Sequence, residues 1–234
     1  MNRQPNGDAK RVSFDAFVDE LAGLINALDD RSQARLFWLY GCGLATRLSA
    51  PPEWAAWIAD ARERGRRIGS TGREGAGDRE AWAVMDRLTQ TTEISQHLLS
   101  TVVCLSAPLQ IVIAEGPRSR GAWAEEALFP VLHAESQRLF GDISFPGDDD
   151  DLDRALEQPR AQRAANYCRD VAASVDGASE AEIADLLEKS GVLSPGPDPT
   201  VSRGDVSAFA AAAPTDLVRA SGIEMSGAED GRSW

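Results

Sequence analysis

The chain has 234 residues, 43% of them hydrophobic and 26% charged, which is long and apolar enough to bury one sizeable core flanked by tails. Its formal charge of −13 is uneven: residues 142–234 hold 8 Lys/Arg against 19 Asp/Glu, so −11 falls there and only −2 in residues 1–141. That balance opposes nonspecific binding to nucleic acid or to an anionic membrane, and it favours either a basic partner or plain solubility.

The N-terminus, MNRQPNGDAKR, has no apolar segment of a secretory signal, so residues 1–12 read as a disordered lead and the cytoplasm as the compartment. Ser13 can cap a first helix, in which Phe14, Phe17, Val18, Leu21, Leu24, Ile25 and Leu28 follow the three-and-four spacing of one buried face. Asp29 and Asp30 offer the cap of a second helix to about Leu48. Gly41 and Gly43 lie inside it at a cost of roughly 1 kcal/mol each relative to Ala, which implies close approach of a neighbouring helix or a bend.

Pro51 and Pro52 separate that helix from a third, where Trp54, Trp57, Ile58 and Ala61 share a face and which is predicted to stop near Gly65. Arg66 to Gly77, with four glycines and no apolar period, reads as the longest internal loop. Asp78 is then placed to cap a short helix carrying Trp82, Met85 and Leu88. Ile94 to Ala114 follows, twenty-one residues without one Asp, Glu, Lys or Arg. At about 1.5 Å per residue it is long enough to cross a bilayer, but Ser95, Gln96, His97, Ser100, Thr101, Ser106 and Gln110 would lack partners in lipid. It therefore reads as the central helix of a bundle, which Pro108 should kink or break.

A further helix is predicted from about Ser119 to Phe140, with Trp123, Ala127, Leu128, Val131, Leu132, Leu139 and Phe140 inward and a kink at Pro130. Asp148 to Asp151 form an acidic start to a segment broken by Pro159 and resumed from Arg160 to Val175. Ser179 and Glu182 make a capping box, and Gly191 closes that helix. Four prolines and two glycines between Val192 and Pro214 mark residues 192–234 as an acidic tail with at most one short helix. The fold class expected is all-α, a multi-helix bundle over residues 13–191 around the charge-free helix.

Candidate chemistry is sparse. Cys42, Cys104 and Cys168 are far apart in apolar stretches and read as reduced, buried thiols. Glu93, His97, Glu126 and His133 could meet across two antiparallel helices as a bundle-type metal site, although neither helix has the Glu-x-x-His spacing. The competing reading makes both histidines hydrogen-bonded core residues, with no cofactor and no catalytic set. Asp148 to Asp151 with Asp153 fail the calcium-loop pattern, because Asp153 stands where glycine is needed and Pro159 where the bidentate glutamate is needed. They remain a solvated helix start or a surface for a basic protein partner. Arg62, Arg64, Arg66, Arg67 and Arg73 form a basic cluster, read as a solvated loop or an anion contact.

The run LFWLYGCGLATRLSAPPEW from Leu36 to Trp54 resembles the start of the uncharacterised YjaG-like helical proteins and of related proteins proposed to confer immunity to bacterial toxins, which place a Cys, an Arg and a Pro before an aromatic. Leu128 to Phe140, with Glu135 and Gln137, is similar to a later helix of that group. The two matches span about thirty residues, and the Arg47-to-Pro51 spacing is longer than in the group. The resemblance implies an all-helical domain and a toxin-neutralising role, and it transfers no catalytic residue. Three functions follow in order: a non-catalytic immunity-type or adaptor protein recognising a protein partner, a metal-dependent bundle enzyme, and a structural subunit of an oligomer.

Overall fold

The computed structural model describes residues 13–48, 52–89, 95–113, 123–140 and 149–195, with only the backbone described for 52–57, 84–89 and 149–150. All secondary structure among them is helical: α1 Phe14–Ala27, α2 Asp30–Ala45, α3 Pro52–Thr71, α4 Asp78–Thr89, α5 Gln96–Ile113, α6 Phe129–Phe140, α7 Asp149–Leu156, α8 Pro159–Ser174 and α9 Glu180–Lys189. The start signals act as the sequence predicts. Ser13 accepts from the Ala16 N–H at 3.2 Å, Asp29 from the Ser32 N–H at 2.7 Å, and Ser179 and Glu182 form a complete capping box. Phe14, Phe17, Leu21 and Ile25 bury the predicted face of α1.

The centre is a pair of helices. α5 packs most extensively against α2, and also meets α3 and α4. α5 is long and apolar enough to cross a bilayer by length and composition, and 72% of it is buried inside the bundle. α2 is buried without interruption from Ser32 to Leu44, so it is covered on every side. Its glycines explain how. A Cβ on Gly41 would lie 2.6 Å from Leu105 Cδ2, and one on Gly43 would overlap the Ser190 carbonyl oxygen. The two positions are thus sites of close approach: Gly41 is the slot for a leucine of α5, and Gly43 admits the backbone of Ser190, which directly follows α9. Gly43→Ala should lower stability by about 1–3 kcal/mol, because the obstacle is a carbonyl and not a flexible side-chain tip. Urea denaturation at constant slope would measure it.

α3 runs one and a half turns beyond Gly65, where the sequence predicted its end. Ile68 is fully buried, and Gly65 and Gly69, one turn apart, let α3 lie against Trp38 and Arg35 of α2. The glycines here serve packing, which is why the lack of a longer apolar period misleads. Gly72, at φ 65°, ends the helix. Arg31 and Arg35 donate through Nε to the Gly69 carbonyl at 3.4 and 3.3 Å and so satisfy an end of α3 that lacks partners of its own. The loop that remains is short, 72–77. It is tied down by Asp78, whose fully buried carboxylate accepts from the Gly75 N–H at 2.7 Å, pairs with Arg64 at 2.9 Å and also pairs with Arg67. Asp78 thus opens α4 but turns its side chain toward α3. The basic cluster is largely neutralised from within, since Arg64 also pairs with Asp60 at 2.8 Å and Arg66 with Glu63 at 2.6 Å.

Prolines behave differently from expectation. α5 continues through Pro108, which is buried beside Gly65. The predicted helix before Phe140 is two pieces among the described residues, a 3-10 turn Glu125–Ala127 and then α6, with Pro130 in the first turn of α6 where a missing N–H costs no bond. Leu139 and Phe140, predicted inward, are exposed at the end of α6, and Arg154 lies over the Phe140 ring at 5.8 Å. Pro159 is the first residue of α8 and begins it. Gly191 does not close the bundle: a 3-10 turn Ser190–Leu193 follows α9, and Leu193 and Ser194 are buried. Residues 1–12 and 196–234 lie outside the described residues.

Candidate functional site

The residues considered for metal binding are drawn into the scaffold. His97 faces the end of α2, with Nε2 2.8 Å from the Leu44 carbonyl oxygen, and as the neutral Nε2–H tautomer it donates there. This is the hydrogen-bonded core histidine of the sequence reading. The neighbouring terminal carbonyls of α2 are also served: Cys42 by the Thr46 hydroxyl at 2.9 Å, Gly43 by the Thr46 N–H at 3.2 Å and Ala45 by the Leu48 N–H at 3.3 Å. Burial pushes the His97 imidazole below its ordinary pKa, which the bond to Leu44 only partly opposes.

Glu126 sits on the 3-10 turn and His133 on α6, so the two-turn spacing along one helix that would have aligned them does not exist. Glu126 accepts from the Ser100 hydroxyl at 2.8 Å, and Ser100 in turn accepts from the Gln96 amide at 3.2 Å. Glu93 lies outside the described residues. Among those described, no group of three or more His, Cys, Asp and Glu is placed to hold a metal ion. The three cysteines are free and buried, and burial raises each thiol, that of Cys168 to about 12.

Burial also raises the Glu126 carboxyl above its ordinary value, with the Ser100 bond opposing. A carboxyl raised in the fold binds its proton more tightly there than in the unfolded chain. Its favourable contribution is complete below about pH 4.5 and is lost as pH rises through the folded pKa. Glu126→Gln should therefore stabilise the protein at pH 7 by on the order of 1 kcal/mol, about 2–4 °C in Tm, and the gain should vanish on acidification toward pH 4.5. Thermal melts of both proteins across that range would measure it.

The acidic residues proposed to face a partner divide. Asp148 lies outside the described residues, and Asp149 and Asp150 open α7. Asp151 is half-buried. Asp153 turns inward: its Oδ1 accepts from the Phe14 N–H at 2.7 Å, so it serves the first turn of α1 and joins α7 to it. Elsewhere in the same third of the chain Asp170, Glu180 and Glu188 are exposed and make no ion pair with the described residues.

One feature of opposite sign interrupts this surface. Arg47 follows α2, Arg160 and Arg163 lie one turn apart at the start of α8, and Lys189 ends α9; with Glu188, Gly191, Val192 and Ser194 they line a cleft of about 380 Å³. Arg160 donates to the Ser194 carbonyl at 2.7 Å, and Lys189 pairs with Asp185 at 2.6 Å. Arg47 and Arg163 make no ion pair with the described residues. Burial lowers the Arg160 guanidinium from its ordinary value; Glu135 opposes this, and Arg47 and Arg163 add to it. The sequence holds one local sign of the cleft, two arginines at helical spacing in an acid-rich region. The rest comes from Arg47, more than a hundred positions before Arg160, and from residues 188–194, about thirty positions after it, which no local pattern joins.

Comparison with protein-family models, with curated proteins and with solved structures finds no match.

Proposed function

We propose that the chain is a non-catalytic helical binding protein, of the immunity or adaptor kind, that recognises a basic protein partner through its acidic C-terminal portion. One observation carries the reading: His97, Asp78 and Asp153 each serve a helix end or a loop and Glu126 holds the Ser100 hydroxyl of α5, while the exposed charge of α7 to α9 includes Asp170, Glu180 and Glu188 without ion pairs to the described residues. Reactive side chains are thus spent on the scaffold, and charge is left at the surface for association.

The full chain, immobilised, is the bait for the test, beside a variant with Asp148, Asp149, Asp150 and Asp151 replaced by Asn. A basic protein retained by the wild type and lost from the variant, at unchanged circular dichroism and Tm, is the expected outcome. The fold should tolerate the change, since charges at a helix start contribute about 0.3–1 kcal/mol each. Equal retention by both would reject the acidic run as the recognition surface.

A further inference from the structure

We propose that the basic cleft between the ends of α2, α8 and α9 is a binding site for a phosphate dianion, carried by a small solute. Four cations from three helices converge there, in a protein whose net charge is −13. Such a gathering repels itself unless a carboxylate or a ligand answers it. Lys189 is answered by Asp185, and Glu188 offsets one further charge, which leaves the three arginines in excess by about two. A phosphate monoester or inorganic phosphate near neutral pH carries that charge, and the planar guanidinium fork matches phosphate oxygens in pairs.

A second observation points to the same ligand independently of the charges. Ser194 lines the cleft and is 1% exposed, yet its hydroxyl has no hydrogen-bond partner among the described residues. A buried hydroxyl left unpaired costs about 1–3 kcal/mol, and an anion in the cleft gives its proton an acceptor. The Ser194 carbonyl already holds Arg160 at 2.7 Å, so one residue both orients a guanidinium and offers a donor. The volume, about 380 Å³, exceeds what a bare phosphate fills and lies in the range of small-molecule sites.

Isothermal titration of the full chain with inorganic phosphate and with ribose 5-phosphate, at low ionic strength, tests the site. Binding of either at one per chain is expected, weakened at least tenfold by Arg163→Gln and by Arg47→Gln, both exposed positions whose replacement should leave the unliganded Tm unchanged. Tighter binding of ribose 5-phosphate would identify an ester as the source, and tighter or equal binding of inorganic phosphate the free ion. Affinity should rise as pH increases through about 6, where the second phosphate proton is lost. Ser194→Ala separates a ligand role from a structural one: it should weaken binding several-fold while leaving Tm equal or higher, because an unpaired donor is removed. Absence of binding, binding undiminished in the arginine variants, or binding of a polyanion such as heparin without either phosphate compound would overturn the proposal.

Discussion

Leu105→Asp should abolish most of the stability of the fold. Leu105 is fully buried and occupies the slot that Gly41 leaves on α2, so a carboxylate there meets apolar side chains and helix backbone whose polar groups are already bonded. Burying an unpaired charge at such a contact costs several kcal/mol, about 4 or more, out of the roughly 5–15 kcal/mol that holds a domain of this kind together. Leu105→Met conserves volume and should cost less than about 1.5 kcal/mol, which separates loss of packing from the introduced charge. Equilibrium denaturation of the three proteins decides the point: an Asp variant melting with the wild type would mean that α2 and α5 do not form the centre.

Asp78→Asn is expected to have the next largest effect. The Asp78 carboxylate is fully buried and is met by Arg64, Arg67 and the Gly75 N–H. Burial alone would raise its pKa, but Arg67, the Gly75 N–H and Arg64 together outweigh that and hold it below the ordinary carboxylate value. A depressed carboxyl stabilises the fold above its unfolded pKa of about 3.8, and the contribution is lost as pH falls through the folded value. Removing the charge leaves two guanidinium groups without it; since both are partly exposed, the loss should be about 3 kcal/mol at pH 7, at the lower end for a broken buried pair. The gap between Asn variant and wild type should close as pH drops below about 4. A gap constant from pH 7 to pH 3 would show that charge at Asp78 contributes nothing.

These residues also show what could be read from the sequence. The helix starts at Ser13, Asp29 and Ser179 were legible because a cap is a local bond between neighbours in the chain. So was the buried face of α1, which follows from spacing alone. The continuation of α3 to Thr71 was not, because its inner surface there is Gly65, Ile68 and Gly69, and glycine registers as loop until the helix it accommodates is known. Pro130 misled for a related reason: a proline breaks a helix interior but suits a first turn, and the difference depends on where the helix begins. Asp78 and Asp153 were read as helix-start or surface charges, yet their partners lie on α3 and α1. The cleft lined by Arg47, Arg160, Arg163 and Ser194 is a product of tertiary folding throughout.

Recognition of a basic partner by the acidic C-terminal portion is tested most directly by stopped-flow association with the captured partner, using wild type and the variant with Asn at positions 148 to 151. Steering by charge acts on encounter and is screened over about 8 Å at physiological ionic strength. The association rate should therefore fall steeply with added salt, and should drop several-fold in the variant at low salt while dissociation changes less. A rate indifferent both to salt and to the four substitutions would contradict that role and leave the acidic run as a determinant of solubility.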